Sequence, residues 1–600
     1  MSRHNNCYTN KNNDPSRNSK KVYCAWDTET DGLGGELLCI SYCYPFQNQS
    51  GYNSGVIVKK SKEDMILDFL DIVDKVKFYK KQVIWLAHNM QYDLRQLVPY
   101  FIDKKYKIIC HMRNETSIFK IEIRNIETKT KIIFQDSFAL FPMSLKKFTE
   151  SFSSNCAKLD VIDFSKEKFN VKNKTHLEYA KRDSESLLYA FEKFVDSIEK
   201  NFNCQVNTTI SSTAMKAFEE TLKDDECYFY SKNNSIEQFI RESYRGGLVF
   251  LTTTEKQDNC VTYDINSSFP ASMKLGVPYG KYRYCKKRKK DLPGFIKVKV
   301  KSPDNLIVPI LGYKKDGTNY YPSGTFETIV TTIELDFALK NGYTLIEDLG
   351  GVYFEKLVYP FQTFVNKCET LRKKYKGTSE ELIVKLIQNS VYGKFGSNRE
   401  VTDFLIEPPD DQKIGRIPLD EDEIFWIGKS IDDDLPCLPQ FASWISANSR
   451  INLLKNVYEI GPEKCFYADT DSITLKIDKN DEAKIDCGDL YGQFKREKEW
   501  KTFRPIAPKV YAGQKMTGEW TGACKGVPKK VLKEEDWKDL YETKSLEKSF
   551  VTLPSLRVAL TKKTTNDEAK TTTRKSTAIE NSNSFIEENG KIRPKKIEEI

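Results

Sequence analysis

Two carboxylates one residue apart, Asp469 and Asp471 in CFYADTDSIT (465–474), lie between short runs rich in aromatic and β-branched residues. Such runs read as two strands of a hairpin with the acids at or beside its turn. Residues two apart on an extended chain share a face, so the pattern aims two negative charges at one spot and invites a divalent cation. An isolated Asp-x-Asp is also an ordinary acidic turn; its company gives this one weight. KVYCAWDTETDG ends an apolar strand in Asp27 and Glu29, again two acids on one face. QVIWLAHNMQYDLRQL runs from a strand through His88 and Asn89 into Tyr92 and Asp93 at a helix start. HLEYAKRDSESLLYAFEKF has helical spacing and sets Tyr179 and Asp183 one turn apart. Asp27, Glu29, Asp93 and Asp183 together match the four carboxylates of two-metal phosphodiester hydrolysis, with Tyr179 placed to orient a water.

The elements that must position the second acidic group come later in the chain. CVTYDINSSFPASM is a strand delivering Asp264, followed by a turn with Phe269 and Pro270. SYRGGLVF sets Arg245, Gly246 and Gly247 after Tyr244, and glycines let one backbone approach another. KLIQNSVYGKFG reads as a helix with Lys385, Asn389 and Tyr392 on one stripe and Leu382, Ile383 and Leu386 around the other side. LRKKYKGTSEE before it suggests helix, turn and helix, which brings Lys373 to the same region from the opposite arm. PKVYAGQKM presents Lys509 and Tyr511 on one strand face.

Composition bounds the rest. At 600 residues the chain is too long for one core, and two to four domains are expected. It has no apolar run of membrane-span length and no apolar signal core at its start, which predicts a cytoplasmic protein without a membrane partner. Fifteen scattered cysteines without a Cys-x-x-Cys pair fit reduced thiols. The net charge of +9 is modest, but KKRKK (286–290) and RKKYK (372–376) suit a polyanionic partner.

The ordered motifs Asp-x-Glu, Asn-x-x-Tyr-Asp and Tyr-x-x-x-Asp, then YRGG, DINSSFP, KLIQNSVYGKFG and YADTDS, resemble family B DNA polymerases, and within them the protein-primed branch. The resemblance spans about residues 21–560. Residues 1–20 are polar and expected to be disordered. The resemblance implies an α/β multidomain fold: a ribonuclease H-like 3′–5′ exonuclease domain at 21–205, then a right-hand palm, fingers and thumb at 206–560. Insertions of the protein-primed type fall near 276–365 and 398–436, the latter a protruding loop or hairpin, and 561–600 is a thumb end and flexible tail. By the same resemblance Asp264 and Asp471 hold two Mg²⁺ ions, with Asp469 less direct, and the N-terminal acids hold two more; Mn²⁺ is a second candidate. His88, Asn89, Tyr92, Ser137 and Phe138 are implied to bind a single-stranded 3′ end and Lys158 a phosphate. Tyr244, Arg245, Gly246, Gly247, Lys509 and Tyr511 are implied to contact DNA, and Phe269, Lys373, Lys385, Asn389 and Tyr392 the incoming dNTP. The implied partners of this monomer are template, primer, dNTPs and a terminal priming protein. Two positions depart from the relatives: Phe269 replaces a tyrosine, and Glu381 stands where a lysine is common and is expected to turn outward. The rival readings are a nucleic-acid-primed polymerase without terminal protein, a nuclease with a vestigial polymerase half, and a DNA-binding scaffold.

Overall fold

Alternation in KVYCAWDTET builds strand Lys21–Thr30, sending Tyr23, Ala25, Asp27 and Glu29 to one face and Cys24, Trp26 and Thr28 to the other. The strand pairs antiparallel with Leu37–Pro45 and parallel with Gln82–Ala87. Helix Lys174–Phe202 covers the first face, where Leu187, Phe191 and Phe194 share a core with Tyr23 and Ala25. Helices Lys62–Lys75 and Gln91–Phe101 supply Phe69 and Leu97 to the core on the other face, with Trp26 and Trp85. Asp27 and Glu29 thereby come to lie beneath the helix that carries Asp183.

In this computed structural model residues 21–600 are described, except 48–49, 103–105, 115, 153–155, 223–233, 434, 436, 477–481, 483, 562–569, 577–583 and 589–590. The segment 1–20, expected to be disordered, lies outside the described residues.

The N-terminal sheet has ten strands, three of them from far along the chain. Strands Glu400–Ile406, Ile417–Pro418 and Phe425–Ile431 extend it from the edge of Tyr106–Asn114, with Ile406 opposite Ile108 and Asp403 opposite His111. The protruding excursion expected at 398–436 is instead docked, burying Phe404, Ile406 and Phe425 in the N-terminal core. Two short apolar runs, hidden in an acidic and proline-bearing average, satisfy an otherwise open strand edge.

The second half is organised on a seven-stranded sheet. Gln257–Ile265 lies between Phe494–Ala507 and Ser472–Leu475, with Cys465–Asp469 and Val249–Leu251 beyond. Helix Pro439–Ile460 packs Leu453, Leu454 and Val457 into one core with Tyr263, Tyr467 and Ile473. Within 276–365, strands Val277–Cys285, Thr344–Val358, Gly294–Lys301 and Thr325–Thr331 form an antiparallel sheet whose Ile296 and Val298 enter that core. Helices Gln362–Lys374 and Ser379–Phe395 follow, separated by a turn in which Gly377 has φ +79°.

Near the C-terminus, helix Leu556–Thr561 returns to the N-terminal unit, where Leu556 and Leu560 join the core and Arg95 donates to the Pro554 carbonyl. The described part of the expected flexible tail is folded: hairpin Phe585–Glu588/Lys591–Pro594 buries Phe585 and Ile592 with Phe250 and Leu251. Two well-placed apolar residues anchor a stretch whose average is strongly polar. Among the described residues no helix is long and apolar enough to cross a membrane.

Candidate active sites: two carboxylate clusters

Strand alternation supplies Asp27 and Glu29, and the overlying helix supplies Asp183; one oxygen from each lies within 4.8 Å of the others. Burial, then the Asp93, Asp183 and Glu29 charges, lifts the Asp27 carboxyl well above its ordinary range. Burial and Asp183 push Glu29 up to about 8. Asp93, only 2% exposed, stands beside the three rather than among them, accepting from the Thr28 amide at 3.0 Å and hydroxyl at 2.7 Å. Of the expected four, three converge within 4.8 Å and Asp93 borders them, its charge the largest acting on Asp27. Lys158 pairs with one oxygen of Asp183, while the other, Oδ1, is buried without a partner. Three crowded carboxylates facing one ammonium, with a carboxylate oxygen to spare, are a donor set that fits a hard divalent cation. Tyr179 is buried one turn before Asp183, its ring 5.6 Å from the Lys158 nitrogen.

The expected strand-end ligands divide. Ser137 is wholly buried, its hydroxyl 2.9 Å from His88 Nδ1 and donating to the Ala87 carbonyl at 3.1 Å, so it orients the histidine instead of facing solvent. The His88 Nε2 side is engaged by the Met143 carbonyl at 2.7 Å, and burial lowers its pKa to about 4. Tyr92 is half-buried, its hydroxyl bonded to Thr30. Asn89, in a left-handed turn (φ 64°), and Phe138, 39% exposed, remain open to a ligand.

In the second half, strand register does the assembling. Ser472 lies opposite Asp264, so Asp471 at the hairpin turn falls beside it, and the Ile265 amide donates to the Asp471 carbonyl at 2.7 Å. Burial, then Asp471 and Glu497, raises the Asp264 pKa to about 7; burial, then Asp469 and Glu497, raises that of Asp471. The expectation that Asp469 and Asp471 share a strand face fails because Thr470 adopts left-handed backbone (φ 64°), turning the chain between them. Asp469 is instead paired with Lys509 at 2.9 Å. Lys509 itself sits in a turn (φ 65°) before strand Val510–Lys515, so it and Tyr511 do not share a strand face. Tyr511 packs on Tyr467, ring centroids 5.2 Å apart, and the Tyr467 hydroxyl accepts from the Lys509 amide at 3.1 Å.

Arg245, expected on DNA, is 2% exposed and donates to the Ile329 carbonyl and Thr328 hydroxyl, both at 3.0 Å. It rivets the YRGG segment to the neighbouring sheet. Tyr244 packs where a Cβ on Gly396 would lie 2.5 Å from its ring. A Cβ on Gly247 would lie 2.6 Å from the Thr470 side chain, which explains the glycine, whereas Gly246 faces open space. Arg450, fully buried, donates to the carbonyls of Arg245 (2.6 Å) and Gly246 (2.8 Å) and pairs with Glu334 at 2.6 Å.

Lys385 and Asn389 are exposed on the expected stripe, and the Tyr392 ring stacks on Phe269 with centroids 4.3 Å apart and 9° between planes. Lys373 is 74% exposed and pairs with Glu369 at 2.9 Å. Its neighbour Arg372 turns inward instead, since adjacent helical residues point about 100° apart. Glu381 is not simply outward: it accepts from the Gly377 amide at 2.8 Å and lies 3.8 Å from Arg372. Sequence reasoning missed Glu497, Arg450 and Arg372. Glu497 sits in FKREKEW, which looks like a solvated strand, and a register shift between Arg496 and Lys498 brings it to the acids.

Residues 163–425 match the family model of DNA polymerase type B, organellar and viral. A probable DNA polymerase of Neurospora intermedia is 27% identical over 82% of this chain and 53% of its own length. One from Podospora anserina is 25% identical over 86% and 48%. The DNA polymerase of Bacillus phage phi29 is 26% identical over 58% of this chain and 61% of its own. The chain thus spans about half the length of these two fungal relatives. Among solved structures, phi29 DNA polymerase complexed with primer-template DNA and incoming nucleotides aligns with TM-score 0.70 at 18% identity, covering 93% of this chain and 100% of that one. The fold is therefore of that multidomain type, and the resemblance to phi29-like family B DNA polymerases drawn from the motifs is borne out.

Proposed function

From that family likeness, we propose that the chain is a template-directed DNA polymerase with its own 3′–5′ exonuclease. The observation that carries this reading is the pair of carboxylate clusters, Asp27, Glu29 and Asp183 at the ten-stranded sheet and Asp264 and Asp471 at the seven-stranded one. In the second half Asp264 and Asp471 would hold Mg²⁺, with Glu497 alongside. In the first, Asp27, Glu29 and Asp183 would hold it within a ribonuclease H-like domain. Bound Mg²⁺ supplies charge that offsets what develops on the transferred phosphoryl and activates the attacking oxygen. Lys385 reaches toward the triphosphate, Tyr392 lies against the nascent base pair, and the Phe269 ring blocks a ribose 2′-hydroxyl. Asn89 and Phe138 receive the frayed primer end, by polar contact and by stacking. Lys158 neutralises the phosphate there.

Asp471→Asn and Asp27→Asn test the division of labour. The first is expected to abolish primer extension and keep degradation of single-stranded 3′ ends; the second does the reverse. Loss of both activities in either variant, or of neither, refutes it. Protein priming and strand displacement belong to the same proposal, supported by folded units at both insertion positions, 276–365 and 398–436. Incubation with the products of neighbouring genes and labelled dATP should yield a protein–nucleotide adduct, and its absence would leave a nucleic-acid-primed polymerase.

A further inference from the structure

Phe269 has no hydroxyl, so its ring cannot be pinned by a hydrogen bond; its place depends on the Tyr392 stack and on the two residues before it. Both are tethered. Ser268 is buried and shares a 2.8 Å hydrogen bond with Ser449 on helix Pro439–Ile460. Ser267 is held in left-handed backbone (φ 49°), a conformation a serine adopts only at a cost. Its hydroxyl accepts from Arg372 Nη1 at 2.8 Å. That same nitrogen donates to the Tyr491 hydroxyl at 3.1 Å and lies 3.5 Å from Gln388 Oε1, while the guanidinium carbon is 5.7 Å from the Tyr491 ring centroid. Tyr491 in turn donates to Gln388 Oε1 at 3.2 Å, and Gln388 is wholly buried one turn before Tyr392 on helix Ser379–Phe395. One guanidinium therefore joins three things: the turn that carries Phe269, the helix that carries its stacking partner, and the 487–494 loop.

We propose that Arg372 is a positioning residue for sugar selection, fixing Phe269 against Tyr392 through Ser267 and Gln388. The inference rests on the polymerase reading above. A rigid fork can serve several acceptors at once; an ammonium at this place serves fewer, and a thioether none. Released from Ser267, the turn relaxes out of its strained conformation and the ring gives way to a 2′-hydroxyl.

The test measures kcat and KM for dCTP and CTP in primer extension, with binding of each to protein on a dideoxy-terminated primer–template. Arg372→Met and Ser267→Ala should each lower the dCTP-over-CTP ratio of kcat/KM by about tenfold, mainly through tighter CTP binding, the scale of a small steric change in a pocket. Arg372→Lys should fall between. In a Phe269→Ala background, Arg372→Met should lower the ratio no further, since both act through one ring. Two results overturn the proposal: KM rising equally for both nucleotides, which marks a phosphate contact, or an undiminished effect of Arg372→Met without Phe269. Melting curves exclude unfolding as the cause, and Ser267→Ala carries the test if the arginine variants fail to fold. If the unaltered protein extends no primer at all, the polymerase reading falls and this inference with it; normal synthesis with unchanged discrimination in both variants sinks the inference alone.

Discussion

Replacing Glu29 by glutamine is expected to stabilise the metal-free protein at neutral to mildly alkaline pH while damaging its proposed nuclease. Burial, then the Asp183 charge, lifts the Glu29 pKa from 4.5 to about 8. In the unfolded chain the group ionises at its ordinary value. Between pH 4.5 and about 8 the unfolded state therefore holds fewer protons than the folded one, and folded stability falls as pH rises across that window. Below it both states are protonated and the penalty is absent. A shift of that size corresponds to about 5 kcal/mol for a group bearing it alone. Glu29 titrates together with the neighbouring Asp183 and Asp93, so only part of that belongs to it, leaving about 2 kcal/mol for the neutral amide to recover. Trp26 and Trp85 lie in the N-terminal core and Trp444, Trp500 and Trp537 in the others, so tryptophan fluorescence on heating reports this unit together with the rest of the chain. In chelator, Glu29→Gln should melt above the unaltered protein at about pH 8 and with it at about pH 4.5. Added Mg²⁺ should raise the melting temperature of the unaltered protein more than that of the variant, which keeps only the Asp264–Asp471 site, because a ligand that binds only the folded state stabilises it by mass action. A variant no more stable than the parent in chelator at about pH 8, or Mg²⁺ stabilising both equally, would refute the reasoning.

Arg450→Met should destabilise the second half by about 3–5 kcal/mol, because it strands Glu334 as a buried charge; adding Glu334→Gln should restore much of this in denaturant titration. Gly247→Ala should cut primer extension by about a hundredfold, as the new methyl displaces the Asp469–Asp471 turn, with single-strand degradation intact. Lys373→Ala should leave the KM for dNTP unchanged and Lys385→Ala should raise it, the contrast being read in steady-state kinetics. Phe404→Asp should free the 400–431 strands from the N-terminal sheet; in a gapped-template assay, synthesis should reach the duplex and stop there.

Periodicity made the clustered acids legible. Asp27 and Glu29 follow from strand alternation, Asp183 from helical spacing, and Asp264 and Asp471 from two apolar runs that had to pair. What escaped was set by single backbone angles and one-residue choices. Left-handed Thr470 separates Asp469 from Asp471, and a left-handed turn removes Lys509 from the strand of Tyr511. Arg372 and Lys373 are chemically alike in sequence, and only the packing of their helix shows which one faces inward. Arg245 is expected on DNA because nothing local announces the Ile329 carbonyl and Thr328 hydroxyl that hold it. The docking of 400–431 depends on an edge strand nearly three hundred positions earlier, a distance that no window of local pattern spans.

That distance also has a meaning during synthesis. Strand Tyr106–Asn114 leaves the ribosome long before Glu400, with about 290 residues still to be made between them, roughly 15–60 s at ordinary elongation rates. For that interval the sheet has an unpaired flank beside an apolar core, and the helix Leu556–Thr561 that seals the same unit arrives later still. The nascent chain is thus most prone to aggregation in the middle of its own translation, and pausing before residue 400 or heterologous overexpression at high temperature would lengthen the exposure. Chaperone demand should track the emergence of the 400–431 strands rather than the completion of the N-terminal half.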